Sequence, residues 1–313
     1  MIEQHTLSRK INASGVGLHS GLNVNMTLLP AGVDHGIRFR RTDMIGPTAD
    51  ILASVECVSS LERATTLSND AHHSVSTVEH LIAACRGLGV DNILIELDGP
   101  EVPIMDGSSL DFCNMFKSHG LVGQSKPRNL IRILKSVEVR EGESVASLKP
   151  TGRKVLSLSA RIEFEETAIG TQQRSLVLDQ GVFCKELSFA RTFGRSCELA
   201  SLHDRGLALG GSLDNAILVD GDRVVNQGGL RSADEFIRHK LLDAIGDLAL
   251  AGGAIAGHYE AVQPGHRLNV QLVKTLMATP EAWCWEPQDA EIGLFPSQQA
   301  QADVITTPPP SPI

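Results

Sequence analysis

What is missing bounds this chain first. Its 313 residues hold six cysteines (Cys57, Cys85, Cys113, Cys184, Cys197 and Cys284), yet no Cys-x-x-Cys pair. Nothing therefore reads as a cysteine-based zinc site or a redox dithiol, and free, mostly buried thiols are expected. No run of about 18 apolar residues occurs, so no membrane-spanning helix is expected. The opening MIEQHTLSRK lacks the apolar core of a signal peptide, which points to a cytoplasmic protein. Basic residues fall short of acidic ones, 28 against 37, for a net charge of −9. That sign argues against a nucleic-acid groove, whereas a small anionic substrate needs only a few Arg or Lys. The Gly-rich SGVGLHSG has no G-K-[ST] to complete a phosphate loop, and a hairpin turn explains its glycines as well.

What is present is a globular composition, 42% hydrophobic, with length for two domains of ~100–200 residues each. GLNVNMTLLP, GIRFRRTD, NLIRILKSVEVRE and KVLSLSARIEF read as strands bounded by Gly, Pro and Asp. Two helical blocks interrupt them. STVEHLIAACRGLG leads into the strand VDNILIELDG and then a second helix, SSLDFCNMFKSHG. SADEFIRHKLLDAIGDLALAGG leads into AIAGHYEAV, a QPG turn and HRLNVQLVKTLMA. The order of elements repeats, so we expect an α+β sandwich built from a duplicated unit. Each copy, 1–125 and 126–295, should hold a mainly antiparallel sheet and two helices, with the helices layered between the sheets and the site between the halves. Residues 195–222 have no counterpart in the first copy and read as an insertion of helix plus strand. The polar, Pro-rich end, 296–313, reads as a disordered tail.

The second helical block carries the chemistry. On a helical wheel Ile237, Leu241, Ala244, Ile245 and Leu248 share one face, while His239, Asp243 and Asp247 form a narrow stripe opposite. Taken singly, His239 and Asp243 read as an ordinary i,i+4 pair on a solvated edge. A solvated edge should also carry Lys, Glu or Gln, and past Leu241 this helix has none. Buried carboxylates are costly unless paired or bound to a metal, so the stripe asks for a cation. His and Asp at i,i+4 can reach one ion, as the two histidines of H-E-x-x-H do. The first block supplies Glu79 and His80 at the matching place in its own copy. Ser76 and Glu79 also fit a capping box, and His80 alone reads as a core histidine. If the copies pack helix on helix, His80, His239 and Asp243 can surround a zinc ion, with Glu79 beside its water. Two imidazoles make magnesium a poorer fit. Asp247, one turn beyond Asp243, is placed to hold His266 from the Pro-Gly turn and keep it protonated.

The segments GVGLHSG, STVEHLIAACRGLGVDN, EVPIMDGSS, SFARTFG, RGLALGGSLDNAILVD, DEFIRHKLLDAIGDLAL and the Gly-His at 265–266 together resemble the zinc-dependent UDP-3-O-acyl-N-acetylglucosamine deacetylases of lipid A biosynthesis, in order over about residues 1–290. The resemblance implies the same zinc ligands, His80, His239 and Asp243. It implies hydrolysis of an acetamide to a free amine plus acetate, with water at the zinc attacking. Glu79 would act as general base and His266, supported by Asp247, as general acid. A scheme in which Glu79 handles both proton transfers is also open, but it leaves the Asp247–His266 pair without a purpose. The resemblance further implies that Thr192 and Phe193 line the site, with the Thr192 hydroxyl near the acetamide oxygen. Lys240 would lie beside the substrate's charged part, and the insertion would build an apolar passage for its acyl chain. It implies a monomer whose metal is zinc, with iron as the other occupant. Two positions depart from the family pattern: Ala64 where many members carry Cys, and Glu198 where relatives often have Asp, which bears on substrate contacts. A zinc amidohydrolase of smaller N-acyl sugars and a non-catalytic zinc-containing nucleotide-sugar or lipid-binding protein are the other readings. The apolar insertion argues against the first. A ligand set of three argues against the second.

Overall fold

Strands that alternate buried and exposed residues build both halves. Asn23–Pro30 (NVNMTLLP) sends Val24, Met26 and Leu28 to one side and polar residues to the other, the period-two pattern of a half-buried strand. The computed structural model describes residues 2–44 and 50–288; the tail expected at 296–313 lies outside the described residues. In the first half the strand order is Ile11–Val16, Asn23–Pro30, Ile93–Leu97, Ile37–Arg41, Ile51–Leu52. The central Ile93–Leu97 runs antiparallel to Asn23–Pro30 and parallel to Ile37–Arg41.

The second half repeats that pattern. Val137–Glu141, Ser144–Lys149, Ala254–Val262, Leu156–Glu163 and Thr171–Val177 follow the same order. Ala254–Val262 is antiparallel to Ser144–Lys149 and parallel to Leu156–Glu163. In both copies a late strand, arriving after the first helix, inserts at the centre of the sheet. The duplication expected from the order of elements therefore reaches down to strand pairing. Leu121–Pro127 returns to pair with Glu3–Leu7 in the first half, and Asn129–Ile133 then pairs with Ala254–Val262 and Trp283–Pro287 in the second.

Helices Glu79–Leu88 and Leu110–His119 belong to the first half, Glu235–Leu248 and His266–Met277 to the second. They form the layer between the sheets, where the Glu79–Leu88 and Glu235–Leu248 helices pack directly on each other. Close packing there depends on one glycine. A Cβ built on Gly246 would lie 2.2 Å from the Glu79 carbonyl oxygen, so only a residue without a side chain lets the helices cross at this distance. The insertion appears as the helix Ser196–Asp204 and the strand Ile217–Asp220, which joins Phe193–Arg195 and Arg223–Val224. Glu198–Arg63 at 2.8 Å and the pair Arg205–Glu62 fasten it to the first half.

Candidate active site

Where the two helices cross, the acids of the second meet the start of the first. His239, Asp243 and Asp247 are 2%, 2% and 0% exposed, which rules out a solvated edge. His80 Nε2 lies 3.4 Å and His239 Nε2 3.3 Å from Asp243 Oδ1, and the two imidazoles meet edge-on with ring centroids 5.0 Å apart. One ligand atom from each of the three residues falls within 4.8 Å of the others. That Asp243 oxygen has no hydrogen-bond partner although it is buried, and neither has His80 Nδ1. A buried carboxylate oxygen left unpaired between two imidazole nitrogens fits a cation and little else.

The protonation states agree with this. Burial pushes the His239 imidazole down to about 3, the Asp243 charge only partly offsetting it. Its Nδ1 faces the Ala190 carbonyl at 3.0 Å, so Nδ1 holds the proton and Nε2 keeps a free lone pair. Burial would raise the Asp243 carboxyl, but His239, Lys240 and His80 hold it well below its ordinary value. Deprotonated nitrogen and oxygen donors are what a metal requires.

Beside this group stand an acid and a base. The Glu79 carboxylate accepts from the Thr65 N–H at 3.1 Å, and the helix it opens has no side-chain cap. The capping box open to Ser76 and Glu79 in the sequence is thus not formed. Burial raises the Glu79 pKa against the pull of His266 and His80, the direction that suits a general base at neutral pH. His266 Nε2 sits 3.5 Å from Glu79 Oε1, and its Nδ1 is 2.9 Å from Asp247 Oδ2. Burial alone would lower the His266 pKa; the Asp247 and Glu79 charges outweigh it and lift it to about 10. His266 opens its helix directly after Gly265, as the QPGH turn suggested.

Four residues around these groups escaped the sequence reading. Thr65 Oγ1 donates to Asp247 Oδ1 at 2.7 Å, so this one residue braces both Glu79 and Asp247. Asn269 Nδ2 donates to Asp247 Oδ2 at 2.9 Å and accepts from the Tyr259 hydroxyl at 2.6 Å. Asn269 stands three residues after His266 on the same helix face, a spacing that could have flagged it. Thr65 had no such signal, because its partner lies 182 residues away. His19, in the GVGLHSG loop, leaves its buried Nε2 without a partner. Burial lowers its pKa, with the Glu101 charge and the Arg63 backbone opposing and the His266 charge adding to the lowering.

The remaining expected residues spread around the cluster. Phe193 stacks edge-on to Phe236 at 4.9 Å and to His239 at 6.2 Å. Lys240 Nζ lies 3.0 Å from Asp243 Oδ2 and 5.4 Å from the Phe193 ring centre. The Thr192 backbone is tied to Gly107 and Ile217, and its hydroxyl makes no hydrogen bond to a described residue. Glu198 is engaged by Arg63 and by Arg195, each at 2.8 Å. The Arg195 hydrogen bond, with help from Arg63 and against burial, holds its pKa down to about 2.

Comparison with known proteins follows from this geometry. Residues 4–278 match the family described as UDP-3-O-acyl N-acetylglycosamine deacetylase. The chain is similar to the UDP-3-O-acyl-N-acetylglucosamine deacetylase of Stenotrophomonas maltophilia (strain K279a), 49% identical over 304 residues, covering 96% of this chain and 98% of that protein. It is equally similar to the protein of that name from Xanthomonas axonopodis pv. citri (strain 306), 49% identical over 288 residues, 91% and 93% of the two chains. With a buried three-donor group, a carboxylate and an imidazolium in one place, and with these matches over nearly its full length, the chain belongs to the UDP-3-O-acyl N-acetylglycosamine deacetylase family and is an amidohydrolase.

Proposed function

We propose that the protein hydrolyses the acetamide of UDP-3-O-acyl-N-acetylglucosamine, giving UDP-3-O-acyl-glucosamine and acetate in lipid A biosynthesis, with one zinc ion held by His80, His239 and Asp243. The observation that carries this reading is the contact of Glu79 and His266 at 3.5 Å beside the three-donor group. When bound, zinc supplies Lewis-acid polarisation of the carbonyl and a lowered pKa for water at the site.

The chain's own residues then divide the proton work. Glu79, buried and fixed by the Thr65 N–H, accepts the proton of the attacking water as its oxygen bonds to the amide carbon. The Thr192 hydroxyl, free of other described partners, donates to the developing oxyanion. His266, kept charged by Asp247, gives its proton to the nitrogen as the C–N bond breaks, so a neutral amine leaves rather than an amide anion. Each positioned proton transfer contributes typically ~10²–10⁴-fold. Phe193 offers its face to the sugar, Lys240 and Glu198 flank the charged part of the substrate, and the insertion houses the acyl chain. No helix of the described residues is long and apolar enough to cross a membrane.

Acetate release from UDP-3-O-acyl-N-acetylglucosamine tests this directly. Activity should vanish on chelation and return with about one zinc per chain. A folded, zinc-loaded protein that releases no acetate across a panel of acyl lengths would overturn the substrate assignment.

A further inference from the structure

Away from the acids, a cavity of about 690 Å³ opens between the halves. It lies against the C-terminal end of the Glu79–Leu88 helix and the Ile245 and Leu248 face of the Glu235–Leu248 helix. Its volume is that of a small-molecule site, yet nothing in the proposed reaction uses it. Basic side chains outnumber acids on its wall, although Arg128 is paired with Asp91 and Lys154 with Glu286. Arg86, Lys117, Arg128 and Lys154 line it against a single acid, Asp179, in a protein whose net charge is −9.

One of those cations, Arg86, is short of partners. Arg86 and Arg128 share one carboxylate, Asp91, and Arg128 takes the better of it at 2.6 Å, leaving Arg86 at 3.8 Å. The Arg86 guanidinium makes no hydrogen bond to a described residue, and its Nε is buried and unpaired. A guanidinium with a side chain only 15% exposed and no good partner is costly. Burial lowers its pKa, the Asp91 charge opposes this only in part, and the neighbouring Arg128 adds to the lowering. The exposed carbonyl end of the helix does not balance it, because Arg128 Nη2 already donates to the Gly89 carbonyl at 2.6 Å. The rest of the wall mixes the apolar Leu88, Phe116, Leu130, Leu156 and Leu248 with the polar His5, Gln180 and Gln288.

We propose that this cavity binds an anionic amphiphile, a carboxylate or phosphate head carried on a single apolar chain, with the head on Arg86 and Lys117 and the chain against the leucines and Phe116. Because its wall is drawn from both halves, an occupant bridges them behind the helix pair that carries the catalytic groups. The site is separate from the insertion and does not rest on the proposed reaction.

Binding can be read from tryptophan emission of the zinc-loaded full chain, since the Trp285 ring packs against Gly253 of the cavity wall. Dodecanoate and dodecyl phosphate, kept below their micelle concentrations, are the probes; comparing them tells which head group is preferred. Inorganic phosphate and neutral dodecyl maltoside are the controls. Saturable binding of at least one anionic probe, with neither control binding comparably, is expected. Arg86→Leu and Lys117→Glu should each weaken it about ten-fold while acetate release without amphiphile is unchanged. Absence of saturable binding would overturn the proposal. So would equal affinity in both variants, which would put the probe in another apolar passage. If Arg86→Leu melts early, the exposed Lys117→Glu decides alone.

Discussion

At the scale of single residues, two aspartates one turn apart on the same helix do opposite work. Asp243 leaves one oxygen unpaired between two imidazoles, while Asp247 spends its oxygens on Thr65, Asn269 and His266. Replacing Asp243 with Ala should strip most of the zinc, measured as metal per chain after gel filtration. Replacing His266 with Ala should leave zinc in place and lower turnover by about 10²–10⁴-fold; unchanged turnover would remove its role as acid. The pH profile follows from the same charges. Glu79, raised by burial, must lose its proton to act, so activity falls on the acid side. His266, raised to about 10 by Asp247 and Glu79 despite burial, must keep its proton, so activity falls on the alkaline side. A cation on the neighbouring donors opposes that rise, so the His266 imidazole, followed by NMR, should titrate higher in the metal-free protein than in the zinc-loaded one. For stability the sign is that of a raised pKa. The His266 contribution is complete below about 6.5 and lost as pH climbs through about 10. The melting-temperature gap between metal-free wild type and His266→Gln should therefore close with rising pH. The aspartates and histidines were legible because their spacing on an apolar helix has few other meanings. Thr65 and the Ala190 carbonyl were not, since a partner far along the chain, or a backbone atom, leaves no pattern in residue types.

At the scale of elements, the site is set by how one helix crosses another. The Glu79 carbonyl rests where a Gly246 side chain would be, so Gly246→Ala should push the helices apart. Overpacking of this kind costs about 1–3 kcal/mol, measurable by urea denaturation. Zinc affinity should fall with it, because His80 moves relative to His239 and Asp243. Thr65→Ala removes a buried hydrogen bond to a charged oxygen, a loss of about 1.5–3 kcal/mol. Thr65→Ser should restore most of it. The strand-helix-strand-helix order of both copies was readable from periodicity and turn residues. Their shared strand order was not, because which strand enters the centre of a sheet depends on long-range pairing rather than on local preference. The start of the Glu79 helix shows the same limit. Ser76-x-x-Glu79 fits a local cap, yet the carboxylate is drawn instead to Thr65 and His266.

At the scale of the whole molecule, neither half holds a site. Glu79 and His80 come from one copy, His239, Asp243, Asp247 and His266 from the other, and the insertion is fastened back across the joint by Arg63 and Glu62. Separate fragments 1–127 and 128–313 should each fail to hold zinc tightly, and their mixture should regain it if they dock, as read by a zinc-sensitive dye. The crossing at Gly246 then has a consequence in time. During synthesis the first half leaves the ribosome with its histidine and glutamate facing no partner, and the helix that completes the set follows only after most strands of the second half. On the zinc reading, metal capture is therefore a late event of assembly. A chain that stalls before that helix, or whose halves meet in the wrong register, would then carry no ion and no activity, so the cell would receive either a finished catalyst or an inert one.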